Sequence, residues 1–168
     1  FFNVCSALSV PLVGELHKPE THLVPTVTFK GLKNKTVYIY GKDFNTPDGT
    51  CIRDYVHIKD ICIAIKKSII FLFKNKKSLL LNIGNSSGIS NDDIVNFVEK
   101  KIKRKIKVKY KNRRSGDVSS LICNAKKAKH YLSWTAKNST IDKIVTNEIR
   151  WIKKLDETGI KRKFKNYI

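Results

Sequence analysis

Three polar loops of this sequence contain side chains whose types and spacing suit anion recognition. They span residues 14–25, 47–55 and 113–117. Arg53 follows a Pro-Asp-Gly turn and can direct two parallel N–H groups at a phosphate or carboxylate. Arg113 and Arg114 lie close to Asp117, which combines cations for phosphates with an acceptor for a sugar hydroxyl. The alternative for each loop alone is an ordinary surface ion pair.

Helices and strands that alternate along the chain must position these loops. Helical spacing or capping residues predict helices at 21–33, 58–74, 90–102, 124–132 and 140–155. Apolar runs or period-two alternation predict strands at 37–40, 79–83 and 105–110. Ser90 with Asp93, Asn124 and Thr140 are the expected helix caps. The pattern predicts an α/β fold, with residues 1–168 forming one lobe.

The charge balance favours a biased composition over a nucleic-acid surface. The 168 residues contain 34 Lys and Arg against 14 Asp and Glu, a net charge of +20. Lys dominates the basic residues, whereas nucleic-acid surfaces use Arg heavily for its bidentate geometry. Nucleic acid is therefore not the expected partner. A basic nucleic-acid-binding module centred on residues 100–114 stays open as an alternative.

The cysteines and the apolar runs limit the compartment and the cofactors. Cys5, Cys51, Cys62 and Cys123 form no CxxC pair, so we expect reduced thiols, a cytoplasmic location and no metal site. The longest apolar run, 69–73, is far shorter than the roughly 20 residues of a membrane span, so no membrane association is expected.

Taken together, the loops resemble the C-terminal half of UDP-glucose 4-epimerases, which are extended short-chain dehydrogenases/reductases. The resemblance runs from Phe2 to the helix around Trp151. Its strongest pieces are PETHLVP at 19–25, YGKDF at 40–44, TPDGTCIRDYVH at 46–57, NIGN at 82–85 and RRSGD at 113–117. It implies the substrate-binding lobe of such an enzyme, with the N-terminal Rossmann half absent from this sequence.

The resemblance implies substrate-binding roles at nine positions: Asn3 for the diphosphate or sugar, His22 and Leu23 at a helix N-terminus for the diphosphate, Tyr38 and Tyr40 beside the uracil, Arg53 and Arg114 for the phosphates, Asp117 for the ribose, and Leu121 for gating of the sugar pocket. Phe1 matches an aromatic residue that approaches nicotinamide, a marginal cofactor contact. Tyr55 and His57 are expected to be structural.

No catalytic residue is expected in this chain. In the resembled family a Tyr-x-x-x-Lys base and a glycine-rich turn for NAD lie in the N-terminal half. The chain has no GxxGxxG motif. The spacing Tyr38 to Lys42 crosses a predicted strand end and Gly41, so the two side chains need not share a helical face, and Tyr55 to Lys59 lies on the substrate motif, where the family does not place its base. The resemblance therefore implies an NAD-dependent isomerase of galactose metabolism when full length, and an inactive fragment here.

Two questions stay open at the level of the sequence. Another nucleotide-sugar epimerase, such as a UDP-N-acetylglucosamine 4-epimerase, is an alternative to the interconversion of UDP-glucose and UDP-galactose, because Leu121 is intermediate in size. A homodimer is possible for the full-length form, although the family's interface lies largely on the other half.

Overall fold

The computed structural model describes residues 1–17 and 19–159, which form an α/β fold. The strands are β1 (Asn3–Cys5), β2 (Leu8–Ser9), β3 (Leu12–Val13), β4 (Val37–Tyr40), β5 (Ile52–His57), β6 (Gly88–Ser90), β7 (Val108–Lys111) and β8 (Ser120–Leu121). The helices are α1 (Leu23–Leu32), α2 (Ile58–Asn75), α3 (Asn91–Ile102), α4 (Lys126–Leu132) and α5 (Ile141–Glu157). The predicted fold class is confirmed.

Strand β5 organises the larger sheet. Its second half pairs in parallel with β1, with Asn3 opposite Tyr55. Its first half pairs antiparallel with β6 and in parallel with β8, so that Arg53 lies opposite Leu121. One strand therefore brings residues from the start, the middle and the last third of the chain to the same place.

A separate two-stranded sheet pairs β4 with β7 in parallel. Along β4 the side chains alternate between two faces, as a strand requires. Val37 and Ile39 are buried in the core, whereas Tyr38 is exposed and Tyr40 half-buried. This alternation places both tyrosines on the face away from the core.

The helices begin at capping residues that the sequence largely identifies. The N–H of Asp93 donates to Ser90 Oγ at 3.0 Å, and the N–H of Lys143 donates to Thr140 Oγ1 at 3.4 Å. At α4 the prediction is one residue early, because Ala125 is the N-cap and Asn124 Oδ1 instead accepts from the N–H of Lys126.

Two apolar cores support the sheets. Helices α1, α3 and α5 pack around Val27, Val98 and Ile144, each fully buried. Helices α2 and α4 pack with Val56 and Trp134 in the second core, where the Trp134 indole N–H donates to the carbonyl of Asp60 at 2.9 Å.

The predicted strand at 79–83 is wrong. The apolar run is not continuously buried, since Leu80 is 91% exposed. One backbone bond reaches it, from the N–H of Phe2 to the carbonyl of Ile83 at 3.0 Å. An apolar run supplies side chains for a core but not the neighbouring strand that a ladder needs.

All four cysteines are free, as expected. Within residues 1–17 and 19–159, no helix combines the length and the apolar character that crossing a bilayer requires.

Candidate substrate-binding site

A single cavity of about 1250 Å³ opens between the N-terminus of α1, strand β1, the first half of β5 and the 113–121 segment. Phe1 lines this cavity, and so do all nine residues predicted to bind substrate: Asn3, His22, Leu23, Tyr38, Tyr40, Arg53, Arg114, Asp117 and Leu121. The fold thus brings together side chains that are up to 120 positions apart in the chain.

Arg53 is held in place before any ligand arrives. Its guanidinium donates to the carbonyls of Ile52 at 2.9 Å and Val118 at 2.8 Å, and it lies 3.4 Å from Asp117 Oδ1. The Arg53 side chain is only 15% exposed. A partly desolvated cation fixed by two carbonyls presents its remaining N–H groups to the cavity with little loss of side-chain entropy.

The two adjacent arginines of the 113–117 loop have different positions. Arg113 pairs with Asp43, Nε to Oδ1 at 2.8 Å, and its guanidinium lies 4.1 Å from the centre of the Phe44 ring. The pairing with Arg113 lowers the pKa of the Asp43 carboxyl. Arg114 lines the cavity and stacks 4.0 Å from the centre of the Tyr40 ring. Arg113 therefore holds the 113–117 loop against Asp43, whereas the guanidinium of Arg114 can contact an anion in the cavity.

The N-terminus of α1 faces the same cavity. His22 is its N-cap residue, yet no side chain caps the helix and no acidic residue lies in its first turn. Leu23 and Val24 both line the cavity. The N–H of His22 already donates to Glu20 Oε1 at 2.7 Å, so the N–H groups of Leu23 and Val24, with the positive end of the helix dipole, are the ones left for an anion from solution.

Tyr38 and Tyr40 form the apolar wall of the cavity. Tyr38 lies between two ammonium groups, with Lys30 Nζ 5.5 Å and Lys111 Nζ 4.8 Å from its ring centre. Cations over an aromatic face stabilise its orientation. The two rings offer flat surfaces on which a planar base can stack.

Asn3, Leu121 and Phe1 occupy the remaining wall. Asn3 Nδ2 donates to the carbonyl of Asp54 at 3.0 Å, which fixes the amide beside β5. Leu121 is 50% exposed, so its side chain projects where a ligand would replace solvent. Phe1 is 74% exposed at the rim.

The sequence analysis did not identify the residue that joins the walls of the site. Asp54 is fully buried, and its carboxylate accepts three backbone N–H groups: from Asn85 at 2.7 Å, Ser86 at 2.8 Å and Cys123 at 3.0 Å. It ties β5 to the segments around 85 and 123. The Arg-Asp pair in the sequence was a signal for Asp54, but only the contacts show that Arg53 faces the cavity while Asp54 faces inward.

Tyr55 and His57 are buried. The N–H of His57 donates to Ser139 Oγ at 2.9 Å, and its Nδ1 accepts from the N–H of Lys59 at 3.0 Å. Burial lowers the pKa of His57 and raises that of Tyr55. Their partners are consistent with the predicted structural roles.

In neither Tyr-x-x-x-Lys spacing do the two residues lie on one helix. Tyr38 lies in β4, and Lys42 is engaged with Asp92 at 2.5 Å. Tyr55 lies in β5, whereas Lys59 is on α2. A base pair of this spacing needs one helical face, which neither segment has.

Phe1 is the one residue expected near nicotinamide, and it lies at the exposed rim of the cavity. The cations, aromatic rings and carboxylate that line the cavity suit an anionic ligand that carries a planar base.

The fold and the cavity together define a partial domain of an extended short-chain dehydrogenase/reductase, namely its C-terminal portion. Residues 4–147 match the family model described as GDP-mannose 4,6 dehydratase, and the chain belongs to that family. It is 38% identical over 153 residues to a UDP-glucose 4-epimerase of Streptococcus mutans, covering 90% of this chain and 46% of that protein.

Solved structures give the same result. The UDP-glucose 4-epimerase of Stenotrophomonas maltophila, with bound NAD and formylated UDP-arabinopyranose, superposes with a TM-score of 0.88 at 26% identity, over 94% of this chain and 47% of that one. The enzyme of Bifidobacterium longum in complex with NAD+ and UDP superposes with a TM-score of 0.80 at 31% identity, over 91% and 46%. The chain spans about half the length of the curated relatives it matches.

Proposed function

We propose that this chain is the UDP-sugar-binding portion of a UDP-glucose 4-epimerase, an enzyme that interconverts UDP-glucose and UDP-galactose in galactose metabolism in the cytoplasm. One observation carries the proposal. The two arginines, the uncapped helix N-terminus, the aromatic wall and the carboxylate that a nucleoside diphosphate sugar needs all line one cavity.

Each chemical part of a UDP-sugar has a counterpart in the cavity. The diphosphate is bound by Arg53, Arg114 and the N–H groups of α1, which together offset its two negative charges. Asp117 accepts hydrogen bonds from the ribose hydroxyls.

The uncharged parts of the ligand meet the other walls. The uracil packs against Tyr38 and Tyr40, and the hexose lies between Asn3 and Leu121. Because the cavity is wide and half open, Leu121 sets how bulky a hexose substituent can be.

Binding and chemistry are divided in this proposal. Epimerisation at the sugar needs NAD and a positioned base, and the residues of this chain supply neither. We therefore expect the 168-residue chain to bind UDP-sugars weakly and to show no turnover. We expect the complete enzyme to be NAD-dependent, with any homodimer interface largely outside this chain. A measurable conversion of UDP-galactose by the chain alone would contradict this division.

Calorimetric titration with UDP tests the binding. Arg114→Ala removes a charge-assisted bond of roughly 1.5–3 kcal/mol, so we expect binding weakened by roughly 10- to 100-fold. Arg113→Ala is the matched control, because that adjacent arginine pairs with Asp43 and does not line the cavity. Equal losses for both variants would show that general positive charge, not the cavity, attracts the nucleotide.

Two further ligands separate the alternatives. Leu121→Tyr should weaken binding of UDP-N-acetylglucosamine and spare that of UDP-galactose; an equal loss would contradict a gate at this position. Single-stranded RNA tests the basic module at 100–114, where affinity should fall steeply with salt and be indifferent to UDP if that alternative holds. We expect no such RNA binding, because several of those basic side chains are already paired, among them Lys101 with Asp142 and Lys105 with Glu99.

A further inference from the structure

A cluster of two imidazoles and a carboxylate lies at the rim of the cavity. Glu15, His17 and His22 each offer one ligand atom, and these atoms all lie within 4.8 Å of one another. His17 Nδ1 is 2.7 Å from Glu15 Oε1, and His22 Nδ1 is 3.5 Å from Glu15 Oε2. All three side chains are partly exposed, so an ion from solution can reach them.

The backbone on both sides of the cluster is fixed. The Trp151 indole N–H donates to the carbonyl of Glu15 at 2.7 Å. Gly14 packs flat against the same ring, since a Cβ there would lie 2.6 Å from Trp151 Cδ1. At the other end His22 is the N-cap residue of α1. Two rigid elements, α5 and α1, therefore position the three side chains before an ion binds.

A second carboxylate lies beside His22. The Glu20 side chain is only 8% exposed, its Oε1 accepts the backbone N–H of His22 at 2.7 Å, and the same oxygen lies 3.1 Å from His22 Nδ1. Glu20 thus holds the backbone of His22 in place and adds a negative charge beside the cluster, which favours a cation there.

We propose that Glu15, His17 and His22 form a binding site for a divalent transition-metal ion of the zinc class. Two histidines with one carboxylate make a ligand set that zinc accepts, with the fourth tetrahedral position left to water. Imidazole nitrogens select Zn²⁺, Ni²⁺ or Co²⁺ over Mg²⁺ and Ca²⁺, which prefer oxygen ligands. Closing the cluster to bonds of about 2.1 Å needs side-chain movements of roughly 1 Å, which exposed side chains can make.

The site departs from the expectation of no metal, which rested on the spacing of the cysteines. The sequence spacing Glu-x-His-x4-His has no regular period, and only the folded structure shows that the three groups lie close together.

Zinc titration by calorimetry tests the site, using the 168-residue chain without a polyhistidine tag. Every protein carries Cys62→Ser, which removes the one exposed thiol. We expect one Zn²⁺ per chain and no saturable heat with Mg²⁺. His17→Ala and His22→Ala should each weaken binding at least tenfold. Co²⁺ should give visible absorption bands that His17→Ala abolishes.

His130→Ala is the matched control, because His130 is exposed on α4 and its ring packs only against Tyr131 among the ring contacts of the described chain. The proposal is overturned if zinc binding does not saturate at one ion per chain, or if His130→Ala weakens it as much as His17→Ala does. The titration contains no nucleotide, so its outcome is independent of UDP binding.

Discussion

Asp54 is a buried charge that joins separate segments of the chain, so its loss should lower the stability of this fold. Its carboxylate accepts three backbone N–H groups from two segments, and no solvent reaches it. Substitution by alanine removes the acceptor from all three donors, of which the N–H of Cys123 belongs to a buried residue. Substitution by asparagine keeps one acceptor oxygen and turns an NH2 group towards at least one of the same donors.

The contacts set the expected size of the effect. A hydrogen bond to a charged group contributes about 1.5–3 kcal/mol, and bonds that share one carboxylate are not additive. We therefore expect Asp54→Ala to lower the free energy of unfolding by about 4 kcal/mol and Asp54→Asn by about 2 kcal/mol. With a urea slope of about 2 kcal/mol/M, the midpoints fall by about 2 M and 1 M.

Urea unfolding followed by tryptophan fluorescence measures both midpoints. Asp48→Ala is the control, because Asp48 is partly exposed and its Oδ1 accepts the N–H and the hydroxyl of the nearby Thr50, each at 2.8 Å, with the Ser90 hydroxyl as a further partner of the carboxylate. We expect a loss of about 1 kcal/mol there. If Asp54→Ala lowers the midpoint no further than Asp48→Ala does, the three bonds do not hold the segments together and the reasoning is refuted.

Three further predictions concern buried groups. Burial lowers the pKa of His57, so the unfolded chain takes up the proton first and the free energy of unfolding should fall as the pH drops below about 6.5. The difference between the urea midpoints at pH 7.5 and pH 5.5 should therefore be smaller in His57→Gln than in wild type, and an unchanged difference would contradict this. Burial raises the pKa of Cys123 to about 11, whereas Cys62 is the exposed cysteine. A disulfide reagent at pH 8 should therefore label one thiol rapidly in the folded chain and four in urea. Rapid labelling of two or more thiols in the folded chain would count against the described core. Gly14→Ala places a Cβ against Trp151 and should cost roughly 1–3 kcal/mol with a shift of tryptophan emission, while an unchanged emission and midpoint would show that the loop moves freely.

The sequence was sufficient for the elements whose signals are local. The 3.6-residue spacing from Ile58 predicts α2, and Ser90 with Asp93 predicts the start of α3, because both signals depend on residues within one or two turns. The strand predicted at 79–83 failed, since a strand requires a partner that is distant in sequence. The same limit explains why the pairing of β5 with β8 could not be predicted.

Residue types alone determined which side chains could recognise a phosphorylated ligand, since guanidinium groups and a nearby carboxylate have that chemistry wherever they lie. Only the tertiary structure decided which of them act together. It placed Arg114 in the wall of the cavity and paired Arg113 with Asp43, although the two residues are adjacent and identical in type. It also placed Glu15 beside His22, although no periodic spacing in the sequence indicates that contact. The physical reason is that a contact depends on the distance between atoms in the folded chain, which the packing of β5, α1 and α5 sets and no local pattern encodes.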